Sequence, residues 1–380
     1  MAESYDVVVI GAGVFGAWTA NRLQRSGHSV ALLDAYGAGN SRSSSGGESR
    51  ILRMGYGTQE IYTRWSLASL ALWKELFEQV SQPELFQKTG VLWTPAADDS
   101  SIAETLRTLE KCGVMFQTLT TDELAARFPQ VRYSSERVGI FEPESGVALA
   151  RRAVRAVVQD AIRNGADYFR DAALPCRDSA EVRTRSGQVL RAETFVYACG
   201  PWLPKIFPEI LEGRIRPTRQ EVFFFGTEPG DRRFTTPDMP AWIDFSDELG
   251  AYTLPDIENR GFKLAFDRRG AEFDPDTGDR LVRGIGEARA FLAERFPALA
   301  GAPLVESRVC QYEVTSTGDF LMDRHPEFSS VWLVGGGSGH GFKHGPMVGE
   351  HVAALIEGSA KVEERFSLRT KSRETLRAVY

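Results

Sequence analysis

Apolar and polar residues follow two spacings along this chain, one typical of buried strands and one typical of helices. Residues 6–10 and 29–33 are apolar runs, and residues 14–23 between them carry apolar side chains every three or four positions. Strands that are apolar throughout are usual in parallel sheets covered on both faces, and the spacing between them is that of an amphipathic helix. The start of the chain therefore predicts a strand, a helix and a second strand.

The same spacings predict the later elements. Helical patterns cover 60–79, 99–112 and 150–164, and a last helix is predicted from Pro346 to about Glu357, since proline fits the first turn of a helix. Strand-like patterns cover 85–94, 138–149, 165–170, 182–184, 194–198 and 329–337. The run at 194–198 ends in glycine and predicts a further parallel strand.

Between about 217 and 294 the pattern changes. Residues 220–225, 250–254 and 260–267 are separated by polar turns with proline and glycine, which is typical of antiparallel strands. We predict an α/β fold, α+β overall, with a Rossmann-like nucleotide domain and a substrate domain of mostly antiparallel sheet. The nucleotide domain is assigned to 1–84, 141–216 and 298–380, and the substrate domain to 85–140 and 217–297.

The turn after the first strand has the composition of a dinucleotide site. Gly11, Gly13 and Gly16 form a G-x-G-x-x-G that passes directly into the first helix, and the second strand ends in Asp34. The glycines permit a tight turn, a close approach of backbone to a pyrophosphate and close packing of helix on strand, while the acid accepts ribose hydroxyls. This order predicts a bound dinucleotide and leaves NAD and FAD both open.

A Gly/Ser-rich segment, 37–50, follows the second strand. Its composition is that of a linker, but its position places it where ligands bind such sheets, and the hydroxyls of Ser43 to Ser45 suit a backbone close to a cofactor. The next residues place Arg50 and Arg53 three apart, on one face if they are helical. From the residues alone, a solvated face is an equal reading of this pair.

Three further segments carry candidate chemistry. In 261–267 the strand alternation places Phe262, Leu264 and Phe266 on one face and Lys263 and Asp267 on the other, towards a cavity or solvent. Residues 338–346 lie between a buried strand and a helix N-terminus, where backbone N–H groups stabilise negative charge. Cys310 lies on a short strand, 308–312, and by itself reads as a core residue.

Composition narrows the class of protein. The chain is 42% hydrophobic and 25% charged with a net charge of −6, so we expect no binding to nucleic acid or to an anionic membrane. No apolar run approaches the roughly 20 residues of a spanning helix. Neither a signal peptide nor a peroxisomal address is expected, and the cysteines have no metal-type spacing, which favours a cytoplasmic protein: Cys112, Cys176, Cys199 and Cys310.

Together these segments resemble a known family. The glycine loop, ESRILR (48–53), GFKLAFD (261–267), VCQYEVTSTGDFLMD (309–323) and GGSGHGFKHGPMVGE (336–350) are similar to the monomeric sarcosine oxidases. These are D-amino-acid-oxidase-like FAD amine oxidases, with N-methyltryptophan, pipecolate and fructosyl amino acid oxidases as relatives. The resemblance implies the two-domain D-amino-acid-oxidase-like architecture, FAD as the cofactor and a monomeric protein.

The resemblance also implies roles for individual residues. Cys310 stands at the position that links covalently to the flavin 8α-methyl, and Arg53 and Lys343 match a pair that binds the substrate carboxylate. Lys263 matches a lysine that assists the reaction with O₂, and Arg50 matches an arginine beside the flavin ring. Tyr252 and Tyr312 match aromatic residues that line the substrate site. The implied cofactor-binding residues are Gly11, Gly13, Val14, Phe15, Gly16, Asp34, Ser44, Ser45, Arg50, Cys310, Gly339, Gly341, Phe342 and Lys343.

Two positions depart from the family pattern. Sarcosine-specific members carry histidine where this chain has Gly46 and Asp267, so we expect a larger substrate site at Gly46 and a carboxylate near the substrate at Asp267. The expected reaction is oxidation of a secondary amine to an imine that hydrolyses, with O₂ reduced to hydrogen peroxide. The expected substrate is larger or more polar than sarcosine. The alternatives are a fructosyl amino acid oxidase and an FAD amine dehydrogenase that uses another acceptor.

Overall fold

The computed structural model describes residues 3–133, 135–174, 180–245, 250–268 and 270–373. Cys176 lies outside the described residues. The strands are, in chain order, β1 (Glu3–Ile10), β2 (Val30–Leu33), β3 (Arg50–Leu52), β4 (Phe86–Gln87), β5 (Val91–Trp93), β6 (Gln117–Leu119), β7 (Gly139–Glu142), β8 (Gly146–Ala148), β9 (Asp167–Phe169), β10 (Glu181–Arg183), β11 (Val189–Tyr197), β12 (Ile215–Phe225), β13 (Ala241–Asp244), β14 (Ala251–Leu254), β15 (Phe262–Phe266), β16 (Leu304–Thr315), β17 (Leu321–Arg324) and β18 (Val331–Gly335).

The helices confirm the predicted helical patterns to within a few residues. They are α1 (Val14–Arg25), α2 (Glu60–Gln79), α3 (Ile102–Lys111), α4 (Thr121–Arg127), α5 (Ala150–Arg163), α6 (Leu203–Ile206), α7 (Pro208–Leu211), α8 (Ile285–Arg295) and α9 (Gly345–Ile356). Pro346 lies in the first turn of α9, where its missing N–H removes no intrahelical hydrogen bond. Among the described residues, no helix is both long and apolar enough to cross a membrane.

The first sheet has seven strands in the order β17-β18-β11-β1-β2-β9, with β10 paired to β11. Strands β18, β11, β1, β2 and β9 are parallel, which confirms the predicted parallel strand at 194–198. Alternate residues of β1 belong to different apolar clusters, because Val7 and Val9 pack with α1 and Val8 and Ile10 pack with Phe207. Both faces of this sheet are therefore covered, as its continuous apolar strands indicated.

The second sheet has eight strands in the order β16-β12-β15-β14-β13-β5-β7-β6. Its pairings are antiparallel except for β13 with β5. Phe262, Leu264 and Phe266 of β15 pack in a phenylalanine-rich core with Phe291 of α8, which confirms the predicted alternation along this strand. A third, small sheet has the order β3-β8-β4. The overall fold class is the predicted one, a Rossmann-like α/β unit beside a mostly antiparallel sheet.

Strand β16 connects the two large sheets. It lies within 298–380, the range assigned to the nucleotide domain, yet it pairs with β12 of the eight-stranded sheet from Leu304 to Thr315. Cys310 and Tyr312 are therefore carried by a strand of the second sheet that ends beside the first. The residue boundaries of the two domains stay a prediction.

One local prediction differs from the structure. Arg50 belongs to strand β3 and Arg53 follows that strand, so the two arginines do not share a helical face. The spacing of three residues suggested one helical face, but the backbone of this segment is extended and pairs with β8 in an antiparallel ladder. In an extended strand, residues three apart point to opposite sides, so the two guanidinium groups are directed to different parts of the site.

Candidate active site

The turn between β1 and α1 leaves no room for side chains at two of its glycines. Gly11 has φ of +106°, and a Cβ there would lie 2.3 Å from the carbonyl oxygen of Ala198. A Cβ on Gly16 would lie 1.8 Å from the carbonyl oxygen of Gly11. Both distances are well below van der Waals contact, so this turn packs backbone directly on backbone. The first-turn N–H groups of α1 have no intrahelical partners and are suited to a phosphate.

Asp34 is held in place at the end of β2. Its Oδ2 accepts the N–H of Ala12 at 2.8 Å, and its Oδ1 accepts the N–H groups of Tyr36 and Gly37 at 2.8 and 2.7 Å. Burial raises the pKa of Asp34, while these backbone donors lower it. The carboxylate thus has a fixed orientation at the mouth of the turn and keeps lone pairs for the hydroxyls of a ribose.

The Gly/Ser-rich segment lies over the same turn. The Oγ of Ser45 accepts the N–H of Val14 at 3.0 Å, at the first residue of α1. Asn40, Ser43 and Ser44 line the cavity beside it. The prediction that this segment lies close to a cofactor site, and is not a free linker, agrees with this placement.

These elements enclose a cavity of about 310 Å³. Eleven of the residues that the resemblance assigned to FAD line it: Gly11, Gly13, Val14, Phe15, Asp34, Ser44, Ser45, Arg50, Gly339, Gly341 and Phe342. Tyr312 lines it as well, whereas Gly16, Cys310 and Lys343 lie behind its wall. Among the described residues, the buried Oγ of Ser44 and Oε2 of Glu313 have no hydrogen-bond partner. A long cavity with a glycine turn, a ribose-type acid and unpaired polar atoms fits FAD.

Cys310 lies next to this cavity. The residue is buried, and its Sγ is 3.5 Å from Nη2 of Arg50. The Arg50 guanidinium also donates to the carbonyl oxygens of Ser44 and Ser49, at 2.6 and 2.8 Å, which fixes it in the cavity wall. The thiol therefore contacts Arg50, and Arg50 in turn lines the cofactor cavity.

Lys263 is a buried amine with few partners. Its side chain leaves β15 on the face opposite Leu264, and its Nζ donates to the carbonyl oxygen of Ser49 at 2.9 Å. Burial and the nearby Arg50 guanidinium lower the pKa of Lys263 well below that of an ordinary lysine. The residue also lies in the wall of a second, smaller cavity of about 190 Å³, which is the first of the two predicted placements, a cavity or solvent. Its role beneath the flavin stays a prediction.

Arg53 and Lys343 lie in a second buried group of residues. The Arg53 guanidinium is 4.4 Å from the ring centre of Tyr56 and 4.3 Å from that of Trp93, and it donates to the carbonyl oxygen of Gly55. The Lys343 Nζ donates to the hydroxyl of Tyr56 at 2.6 Å. Burial, and then the Arg53 guanidinium, lower the pKa of Lys343. Two like charges this close disfavour each other, and a negative charge placed beside them would relieve that repulsion.

Asp267, Tyr252 and Tyr312 complete this group. The Asp267 carboxylate acts electrostatically on both tyrosines and on Lys343. Burial raises the pKa of Tyr252 to about 12 and raises the pKa of Tyr312 well above the usual value for a tyrosine. Both phenols therefore stay neutral, and the structure brings the predicted substrate residues together with one carboxylate.

The space expected at Gly46 is absent. A Cβ on Gly46 would lie 1.8 Å from the carbonyl oxygen of Asn40, and Nη2 of Arg151 donates to the Gly46 carbonyl at 3.0 Å. The expectation that a missing side chain here enlarges the substrate site is therefore wrong. The chain closes over this position, because the backbone of Asn40 fills the volume that a side chain would need.

Sequence reasoning missed two buried carboxylates. Glu142 accepts the N–H groups of Met54 and Gly55, each at 2.8 Å, and so fixes the segment that follows Arg53. Its position at the end of an otherwise apolar strand, GIFE, is the signal that could have identified it. Glu313 lines the cofactor cavity immediately after Tyr312. Tyr56, which accepts from Lys343 and lies 2.9 Å from Nε2 of His344, had no sequence signal.

Comparisons with known proteins agree with this site. The family of FAD dependent oxidoreductases matches residues 6–355. Monomeric sarcosine oxidase of Bacillus sp. (strain B-0618) is 31% identical over 388 residues, covering 99% of this chain and 98% of that protein. L-proline dehydrogenase of P. horikoshii superposes with a TM-score of 0.81 at 22% identity and 95% coverage of both chains. Amadoriase II of Aspergillus fumigatus superposes with a TM-score of 0.78 at 21% identity, over 97% of this chain and 90% of that one.

The two solved structures show the shared fold, and the sequence matches show the family. The glycine turn and Asp34 form a dinucleotide site, and the cavity extends from them to Arg50, Tyr312 and Phe342. The match to the family model covers both this turn and the loop before α9. The chain therefore belongs to the sarcosine oxidase family of FAD dependent oxidoreductases, and it is an FAD-dependent amine oxidase.

Proposed function

We propose that the protein oxidises the secondary amine of an N-substituted amino acid, using O₂ and releasing hydrogen peroxide. FAD bound in the large cavity supplies the two-electron oxidation of the C–N bond to an imine, which hydrolyses, and the reduction of O₂. The observation that carries the proposal is the buried pair of cations, Arg53 and Lys343, beside Tyr252, Tyr312 and Asp267. The proposal is supported further by sarcosine, an N-methyl amino acid, in the name of the relative that matches nearly the whole chain.

The two cations bind the carboxylate of the substrate. A guanidinium forms two parallel hydrogen bonds to a carboxylate, and an ammonium beside it adds a third donor. Arg53 is only 6% exposed and Lys343 is equally buried, so a carboxylate here would interact in a medium of low dielectric constant. An incoming negative charge also restores the protonated form of Lys343, whose pKa is lowered by burial and by Arg53.

Asp267 selects the amine end of the substrate. Its carboxylate lies within electrostatic reach of Tyr252, Tyr312 and Lys343, so it can accept a hydrogen bond from an amine or from a polar or cationic substituent on it. Such a group favours substrates more polar than sarcosine. An amine that binds deprotonated needs no strong base for oxidation, and proton transfer to Asp267 is a separate part of this proposal.

Lys263 promotes the reaction with O₂. Its Nζ is held by the carbonyl oxygen of Ser49 and lies in the wall of the smaller cavity, while its charge interacts with Arg50 and Cys310. In its protonated form Lys263 is a buried cation that is fixed before the reaction, and it stabilises the negative charge that develops as O₂ is reduced. Lys263 therefore acts in the oxidative half of the cycle and not in binding the amine.

Cys310 attaches FAD to the protein through a thioether to the flavin 8α-methyl. The support is its place beside Arg50 at the wall of the cofactor cavity, with Sγ 3.5 Å from Nη2. Intact mass of the acid-denatured yellow protein measures this attachment. The expected mass is that of the chain plus FAD, and Cys310→Ala returns to the mass of the chain alone. Colour that washes out of the denatured wild type would overturn the attachment.

A panel of N-alkyl amino acids tests the amine oxidation. We expect anaerobic mixing with a substrate to bleach the flavin absorbance, and air to restore it with formation of hydrogen peroxide. Lys263→Met should slow only the restoration by air. A protein that bleaches but is not reoxidised by air would be an amine dehydrogenase with another acceptor, and one that no amine bleaches would contradict the proposal.

The same panel tests the part played by Asp267. We expect sarcosine to have a lower kcat/KM than N-alkyl amino acids with polar or cationic substituents, fructosyl amino acids among them. Asp267→Ala should reduce that preference while Glu144→Ala, a change to an exposed carboxylate, leaves it in place. If sarcosine were the best substrate, or if Asp267→Ala kept the wild-type ranking, the proposed selectivity would be wrong.

A further inference from the structure

Glu313 is a buried carboxylate in the wall of the cofactor cavity. It follows Tyr312 on β16 and lies between two turns of the seven-stranded sheet. A Cβ on Gly200, after β11, would be 3.3 Å from its Oε2, and a Cβ on Gly337, after β18, would be 3.2 Å from its Oε1. The same Gly337 position is 3.8 Å from the ring of Phe15 in α1. Glu313 therefore lies close to the start of α1.

The carboxylate has one weak hydrogen bond within the described part of the chain. Its Oε1 accepts the N–H of Gly337 at 3.4 Å, and its buried Oε2 has no partner there. Burial raises the pKa of Glu313 to about 7, opposed only by this one donor. An unpaired carboxylate in such a place costs folding free energy, since buried charges are normally paired and hydrogen-bonded. The residue is thus better explained by a ligand than by packing.

The residues around Glu313 indicate which chemical group of FAD it contacts. The cavity is lined by the glycine turn and Asp34, which suit phosphates and the adenosine ribose, and by Arg50, which contacts Cys310. Glu313 is on the strand of Cys310, and its carboxylate lies beside glycines close to the start of α1. Between a pyrophosphate and the ring system, FAD has a chain of hydroxyl groups. Hydroxyls donate to a carboxylate, whereas phosphate oxygens would be repelled by it.

We propose that Glu313 accepts a hydrogen bond from a hydroxyl of the ribityl chain of FAD and thereby helps to position the cofactor in its cavity. This role concerns cofactor binding and does not depend on which amine is oxidised or on O₂ as the acceptor. Ser44, whose buried Oγ also lacks a partner among the described residues and lines the same cavity, contributes a second polar atom.

The test measures the affinity for FAD in the Cys310→Ala background, where the cofactor exchanges reversibly. We expect Glu313→Leu to weaken FAD binding by about ten- to a hundredfold, the usual effect of losing a hydrogen bond to a charged group. Glu313→Gln retains an acceptor oxygen and should recover part of that loss. Glu306→Leu, on the same strand but paired with Arg260 at the surface, is the matched control and should leave the affinity unchanged.

FAD analogues that each lack one ribityl hydroxyl identify the partner. One analogue should bind the Cys310→Ala protein more weakly than FAD does, yet bind the Glu313→Leu variant as well as FAD does, because the two changes remove the same hydrogen bond. If every analogue lost as much binding free energy in the Glu313→Leu variant as in the Cys310→Ala protein, the proposal would be overturned. An unchanged FAD affinity in Glu313→Leu would overturn it as well.

Thermal unfolding separates this role from a structural one. Since Glu313 is nearly unpaired without a ligand, Glu313→Leu should not lower the melting temperature of the FAD-free chain, and it should lower that of the FAD-bound chain. An equal loss of stability in both forms would show that the residue acts in folding and would overturn the proposal. None of these measurements uses turnover, so they stand apart from the test of amine oxidation.

Discussion

The cofactor cavity and the amine site are built in opposite ways. The glycine turn and Asp34 of the cofactor cavity come from one stretch of chain, β1 through β2, and the closest contacts at Gly11 and Gly16 are with backbone atoms, those of Ala198 and of Gly11. The proposed amine site is assembled from side chains distant in sequence: Arg53 after β3, Asp267 after β15 and Lys343 before α9. The packing of the first region requires glycines that have no Cβ, and the second region requires charged side chains at defined positions.

This difference predicts how each region responds to change. Where backbone packs on backbone, one added methyl group has no space, and the turn itself must shift. Where charged side chains meet, a change of charge alters binding, while the surrounding fold stays intact. The four predictions below test this contrast.

The largest effect is expected in the glycine turn. Gly16→Ala places a methyl group 1.8 Å from the carbonyl oxygen of Gly11, so the start of α1 must move away from β1. We expect purified protein without FAD, measured by the ratio of flavin to protein absorbance. Gly286→Ala is the control, because a Cβ at this helical glycine meets nothing within 4 Å. Retention of normal FAD content in Gly16→Ala would contradict the view that this turn tolerates no added atom.

The next effect is expected at the two cations. Arg53→Met and Lys343→Met each remove one partner of a buried carboxylate, which costs roughly 2–5 kcal/mol, or at least about thirtyfold in affinity. We expect kcat/KM to fall for an N-alkyl amino acid and to change little for the same amine without its carboxylate. FAD content should stay normal. Equal losses for both amines would show that the cations act on something other than the carboxylate.

A smaller effect is expected from Glu142. Glu142→Gln keeps the size of the side chain but replaces the carboxylate, whose two oxygens accept hydrogen bonds from the N–H groups of Met54 and Gly55. The position of the segment after Arg53 is then less strictly fixed. We expect KM to rise about tenfold with little change in kcat, since a hydrogen bond to a charged group is worth about 1.5–3 kcal/mol. Glu144→Gln, exposed and paired with Lys88, should behave as wild type. A fall in kcat at constant KM would exclude a positioning role.

The smallest effect is a pH dependence of carboxylate binding. Burial and Arg53 lower the pKa of Lys343, so its ammonium form is lost at a lower pH than that of an ordinary lysine. Only the ammonium attracts a carboxylate, and affinity should therefore fall severalfold as pH rises through this lowered pKa. The dissociation constant of a simple carboxylate, followed through the flavin spectrum, measures this. In Lys343→Met the step should disappear, and its persistence would assign it to another group.

Much of the fold was predictable because its signals are local. The glycine turn, α1, α2 and the apolar strands β1, β11 and β18 have sequence patterns that need no distant partner. Short strands were harder. Arg50 lies on the three-residue strand β3, whose extended form is set by pairing with β8 nearly a hundred residues later, so its local spacing pointed to the wrong geometry.

Residues of the candidate site were predictable where they belong to a sequence motif. They were not predictable where their importance comes from burial. Gly46 shows the limit, because the absence of a side chain says nothing about whether a neighbouring backbone fills the space, as Asn40 does. Glu142 and Glu313 show the converse. A glutamate in a strand is ordinary in sequence, and only its burial and its partners reveal a charge that must be balanced.

The sequence by itself determined the turn that binds the dinucleotide. The order of strand, glycines, helix and acid specifies the backbone geometry of the segment of about 30 residues that ends at Asp34. Through its motifs it also determined the family. Only the tertiary structure decided which charges meet, because pairing β16 with β12 brings Cys310 to Arg50, and folding the loop before α9 brings Lys343 to Arg53. Electrostatic interactions act through space and depend on burial, and neither distance nor burial between remote segments is written in local sequence.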